Sequence, residues 1–213
     1  MEFAELLQIV DAEPTFETGL LLAGKVNPKE VRKQLSRWAA SRKILQLRRG
    51  MYTLASPYQK VAVHPFFLAN RLLPNAYISL QSALAYYGMI PEMVPLTTSV
   101  TTGRPQRFDT PLGGFDFRHI RVSWFCGYQQ LNFGENQPAF IALPEKALLD
   151  LIYLHPGGDD PRYLRSLRLQ ALEQVDLIRL RELVQISKKP KLARAAQIIE
   201  ALIAEEKTGY QTL

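Results

Sequence analysis

The sequence predicts an α+β protein in two parts, and three observations predict it. Apolar residues recur at helical spacing before residue 40 and again beyond residue 144. Alternating and β-branched runs fall between them, and positive charge gathers in one short stretch. With 47% hydrophobic and 22% charged residues over 213 positions, the chain can bury a substantial core.

Residues 2–10 form a first helix, with Phe3, Leu6, Leu7 and Val10 on its apolar side, and Glu13-Pro14 breaks it. Thr15 to Ala23 is expected as a short second helix closed by Gly24, whose missing Cβ suits a helix end. Asn27 then caps a third helix. Pro28 suits the first helical position, and Glu30 sits three residues after the cap. Val31, Leu35, Trp38 and Ala39 make its apolar stripe. Lys29, Lys33, Ser36, Arg37 and Ala40 project to the other side, with Arg32 and Lys43 on the flank. Ile44, Leu45 and Leu47 lead to a turn at Arg48-Arg49-Gly50, and Met51, Tyr52 and Leu54 return. Helix, helix, turn, helix and hairpin, closed by Ser56-Pro57, is the order of a winged helix-turn-helix. Residues 1–57 are thus expected as one domain and 58–213 as another.

Residues 25–54 carry nine cationic side chains against Glu30 alone, a net +8, whereas the whole chain is +6. The excess is therefore local to the third helix and hairpin. Lysine and arginine contacts to phosphate release condensed counterions, so such a patch suits double-stranded DNA. Lys29, Lys33 and Ser36, early in the helix and on its outer face, are candidates for base edges. Arg32, Arg37, Arg48 and Arg49 are candidates for phosphates, and a wing arginine can also enter the minor groove. Trp38 belongs to the core. The bland alternative is an amphipathic surface helix with a solvated face.

In the second part, His64-Pro65 opens a short apolar helix to Leu73, and Ser79 caps another through Tyr87, ended by Gly88. Thr97 to Thr102 reads as a strand. Residues 103–124 read as a hairpin region, in which Phe115 and Phe117 alternate in one phase and Ile120, Val122 and Trp124 in the other; the slip implies a bulge or separate strands. Pro138 to Leu143 adds a strand, and Pro144 begins an apolar helix ended by His155-Pro156-Gly157-Gly158. Pro161 to Glu206 is mostly helical, broken at Lys188-Lys189-Pro190. This makes a mixed α/β region with a small sheet and a helical C-terminal stretch.

Four segments in order, "RRGMYTL", "NAYISLQSALAYYGMIPE", "TSVTTGRPQRFDTPLGGFDFRHI" and "ALPEKALLDLIYL", give the chain a resemblance to the AbiEi-type antitoxins, transcriptional regulators of abortive-infection toxin–antitoxin pairs. The resemblance covers residues from about 15 to 155; beyond Pro161 only helical character corresponds. It implies a DNA-binding autorepressor acting at inverted repeats of its own operon, as a monomer or a dimer formed on DNA. It also implies neutralisation of a co-encoded nucleotidyltransferase-like toxin, with or without direct contact. Positions 29–37 and 48–49 would be the recognition helix and wing. The family offers no catalytic residue to carry over.

The competing class is a metal-dependent nuclease targeted by the winged helix. Asp109, Asp116, Glu135, Glu145 and Lys146 are its candidate carboxylates and lysine. Glu145 and Lys146 are adjacent at a helix start, however, where helix-dipole preference and surface exposure are the simpler explanation. His64, His119 and His155 lack metal-ligand spacing, and Thr101-Thr102-Gly103-Arg104 makes no phosphate loop, so no cofactor or metal is expected. A third class is a protein-interaction module whose winged helix binds no DNA. The single Cys126 cannot form an internal disulfide, no apolar run reaches membrane-spanning length, and acidic Glu2 and Glu5 stand where a signal peptide would be basic. The expectation is a cytoplasmic protein without a membrane partner.

Overall fold

Phe3 to Val10 folds as helix α1, burying Leu6 and Val10, in a computed structural model that describes residues 1–23 and 26–209, the side chains of 207–209 excepted. The expected closing role of Gly24 lies outside the described residues. Where a second α-helix was expected, the chain makes a two-residue strand, β1 (Phe16–Glu17), and a 3-10 helix over Thr18–Leu22. Long-range pairing decides this. Phe16 lies opposite Tyr52 with ring centroids 5.7 Å apart, and the Thr18 amide donates to the Gly50 carbonyl at 2.8 Å. Threonine and glycine in the segment give an α-helix little intrinsic support against those bonds.

Helix α2 (Pro28–Ala40) starts where its cap requires: the Asn27 side chain accepts from the Lys29 amide at 3.0 Å. It buries Val31, Leu35 and Trp38. Strands β2 (Ile44–Arg48) and β3 (Met51–Leu54) complete a three-stranded antiparallel sheet in the order β1-β3-β2. Arg48 ends β2, opposite Met51, so the turn is Arg49-Gly50 alone, with Gly50 at φ 82°, where a side chain is strained. Strand alternation sends Ile44, Tyr52 and Leu54 to one face and Leu47 and Met51 to the other. The first set joins Leu6, Phe16, Val31, Leu35 and Trp38 in a small core. Leu47 and Met51 belong instead to the large core of the later residues.

That larger part places α3 (Pro65–Leu72), β4 (Ala76–Ile78), α4 (Leu80–Tyr86), β5 (Leu96–Thr101), β6 (Gln106–Thr110), β7 (Gly113–His119), β8 (Tyr128–Asn132) and β9 (Pro138–Ala142) before α5 (Pro144–Leu154). Helices α6 (Pro161–Ser166), α7 (Leu177–Ser187) and α8 (Pro190–Gly209) follow. The sheet is larger than expected, with six strands in the order β6-β7-β5-β4-β9-β8. Pairs β4/β9 and β5/β7 are parallel and the rest antiparallel. The phase slip after Phe117 marks the end of β7 rather than a second strand. Residues Val122–Trp124 form a 3-10 helix that buries Trp124 and leaves Val122 78% exposed.

Two local expectations are corrected. Ser79 stands at the N-cap of α4, but its hydroxyl donates to Asp150 at 2.8 Å; the amide of Ser82 is met by Thr98 Oγ1 at 3.0 Å instead. Glu145 and Lys146 are not surface residues. Both are fully buried, because α5 is apolar on nearly every side and is enclosed by its neighbours.

Candidate nucleic-acid interface

The exposed side of α2 is a stripe read at helical spacing: Lys29, Arg32, Lys33, Ser36, Arg37 and Ala40 all face solvent. At 1.5 Å per residue, these thirteen residues extend about 20 Å. The stripe exists because the opposite side carries Val31, Leu35 and Trp38 into the small core. Ser36 is partly committed, since its hydroxyl donates back to the Arg32 carbonyl at 3.0 Å; its oxygen can still accept.

Among the described residues, Lys29, Arg32, Lys33 and Arg37 form no salt bridge. Arginines elsewhere do: Arg107 with Asp109, Arg168 with Glu92, Arg181 with Glu200 and Arg194 with Asp159. The cations of α2 therefore stand unneutralised beside one another. Guanidinium groups in that state match phosphate in a two-pronged geometry, and ammonium groups act as point charges.

The hairpin contributes less evenly than its sequence suggests. Arg49, in the turn, is exposed and forms no salt bridge among the described residues. Arg48 is half-buried; its guanidinium lies 3.9 Å from the Glu17 carboxylate, which Arg71 also approaches at 3.3 Å. Its Nε is buried without a hydrogen-bond partner. Lys43, placed on the flank of α2 by the sequence, is half-buried with its ammonium 4.7 Å over the Phe3 ring. Arg49 is thus the freer of the two wing arginines.

The carboxylates considered for metal chemistry are dispersed. Asp109 and Asp116 pair with Arg107 and Arg118 at 3.6 Å each, and Glu135 is exposed in a loop. Glu145 accepts from the Asp176 amide at 2.7 Å and lies 3.7 Å from Arg179. Among the described residues no three metal-ligating side chains come together. His64 caps α3 by accepting from the Phe66 amide at 3.2 Å, His119 contacts the Gly103 carbonyl at 2.8 Å, and His155 stacks on Tyr163 at 3.9 Å.

One constellation escaped the sequence reading. Lys146 and Asp150, one turn apart on α5, form a fully buried ion pair. Tyr77 and Ser79 each donate to Asp150, at 3.0 and 2.8 Å, and the Lys146 ammonium sits 4.0 Å over the Trp124 ring. Burial pushes the Asp150 carboxyl up and holds Lys146 below its usual range. The same burial raises the nearby Cys126 thiol, which disfavours the thiolate a nucleophile needs. The signal was in the sequence: two opposite charges at i and i+4 inside a run of leucines can only be buried together. The cluster ties α5 to β4.

No family model matches the chain, and no curated protein matches it. No helix among the described residues is long and apolar enough to cross a membrane.

Proposed function

We propose that this protein is a winged-helix DNA-binding antitoxin of the AbiEi type. It represses its own operon at inverted repeats and neutralises a co-encoded nucleotidyltransferase-like toxin from its larger part. The observation that carries the DNA-binding reading is the outer side of α2, where Lys29, Arg32, Lys33 and Arg37 lie together without carboxylate partners among the described residues. The three-stranded sheet beside that helix gives the order of elements a winged helix would have, with Arg49 at the hairpin tip. The antitoxin role rests on the four-segment resemblance. The enzyme reading finds no clustered carboxylates among the described residues to favour it.

Binding of duplex DNA from upstream of the protein's own operon, followed by fluorescence anisotropy across a salt series, tests the reading. With Arg32, Arg37 and Arg49 at phosphates, and Lys29 and Lys33 displacing counterions from beside the base edges they meet, five cations give a log–log slope of affinity against salt of about −4.5. Replacing Arg32, Lys33 and Arg37 by alanine together flattens it to about −2. Salt-insensitive binding, or wild-type behaviour in the triple variant, defeats the proposal. Growth rescue retained by the full chain carrying Arg32→Ala, Lys33→Ala and Arg37→Ala, in cells expressing the adjacent toxin from a separate promoter, checks that the second duty lies in the larger part; rescue lost together with DNA binding defeats that division.

A further inference from the structure

The six-stranded sheet has two edges of opposite character. At one, β6 carries Arg107 and Asp109 and lies beside β2 of the hairpin, a charged edge of the kind by which native sheets end. At the other, β8 reads Tyr128-Gln129-Gln130-Leu131-Asn132, with no charge, no proline and no glycine. Among the described residues no strand pairs with its outer side.

The ladder shows which backbone groups that outer side presents. Leu143 donates to the Gly127 carbonyl at 2.9 Å and Phe133 to the Gln137 carbonyl at 3.0 Å, so the odd-numbered residues from 127 to 133 bond inward to β9. Phe140, opposite Gln130, turns its amide the other way, to Asn70 Oδ1 at 2.6 Å. Tyr128, Gln130 and Asn132 therefore point their N–H and C=O groups outward. A groove of about 400 Å³ lined by Gln130, Leu131, Asn132, Asn136 and Pro138 lies at the hairpin end of β8 and β9. On the face shared with Gln130, Tyr128 and Phe140 lie 5.7 Å apart, 36% and 38% exposed.

We propose that β8 pairs antiparallel with β8 of a second copy of this chain, about a two-fold axis through Gln130, joining two sheets into one. This departs from the expected monomer or dimer formed on DNA, and it does not rest on the DNA-binding reading. The register is self-complementary. Gln130 meets Gln130 as a hydrogen-bonded pair, Tyr128 meets Asn132 on each side, and no charge faces its like. The Tyr128–Phe140 pairs of the two copies flank the glutamines on one face. Because the pairing is isologous about a two-fold axis, it uses the β8 edge of both copies, and the charged β6 edge offers no second one, so assembly stops at two copies.

Sedimentation velocity on the full chain without DNA, at about 100 μM, is the test, and a dimer is expected there. Gln130→Lys and Gln130→Glu each place like charges across the axis and weaken the dimer about fivefold. An equimolar mixture of the two restores it as a heterodimer. Gln130→Pro removes an outward amide that the β8–β9 ladder does not use, so it leaves the folded monomer's circular dichroism intact and abolishes dimerisation. A monomeric wild type at that concentration, a Gln130→Pro variant that remains dimeric, or a mixture no more associated than its components overturns the proposal.

Discussion

At the scale of single residues, the buried pair on α5 sets the sharpest expectation. Lys146 and Asp150 are both shut away from bulk solvent, and each is tolerable only because the other is there. Removing one partner leaves an uncompensated buried charge, a cost of roughly 3–5 kcal/mol. Asp150→Asn and Lys146→Met are each expected to destabilise by about that much in urea unfolding, and the double variant by clearly less than their sum. Strict additivity would mean the two side chains do not support each other. His64 gives a pH expectation. Its Nδ1 must be unprotonated to accept from the Phe66 amide, and burial holds its pKa below the ordinary 6.5. A group depressed in this way contributes stability above its unfolded pKa and loses it as pH falls through the folded one. Between pH 7.5 and 5.5 the wild type should therefore lose up to about 1 kcal/mol more than His64→Asn, whose amide caps without titrating. Equal losses would show that the ring nitrogen does not cap α3.

At the scale of elements, the two wing arginines separate. Arg49→Ala should weaken binding to all duplexes and flatten the salt slope by about one unit. Arg48→Ala, already engaged by Glu17, should leave that slope unchanged and alter stability by at most about 1 kcal/mol. An anisotropy titration giving the reverse order would place the DNA on the other side of the hairpin. The sequence made α2 legible because its start is written locally, in Asn27-Pro28 and the spacing of Val31, Leu35 and Trp38. It made β1 illegible because Phe16 and Thr18 take their conformation from Tyr52 and Gly50, more than thirty positions away. Strand β8 is hidden for a related reason: Gln129, Gln130 and Asn132 face solvent on an edge, so no apolar alternation announces them. Arg48 and Lys43 look like free cations in the sequence because charge is visible there and a distant carboxylate or ring beneath it is not.

At the scale of the molecule, the hairpin couples the two cores. Its β3 strand is buried on both sides: Tyr52 and Leu54 face the small core, Met51 the large one, and Thr53 donates to the Pro14 carbonyl at 2.8 Å. Such a strand reads as an unbroken buried run, which is how Met51-Tyr52-Thr53-Leu54 appears in the sequence. The consequence is thermodynamic. A division at Pro57 would strip Leu47 and Met51 of the large core they share with the later residues, so residues 1–57 are not expected to melt as a unit independent of residues 58–213. Truncating Met51 to alanine removes buried contacts from a site that is 0% exposed, at a cost of roughly 2–5 kcal/mol. Calorimetry of the wild type should show one cooperative transition, and Met51→Ala should move that whole transition to lower temperature rather than split it. Two resolved transitions in the wild type, with only one shifted by the substitution, would show that the hairpin transmits nothing between the DNA-facing helix and the larger part.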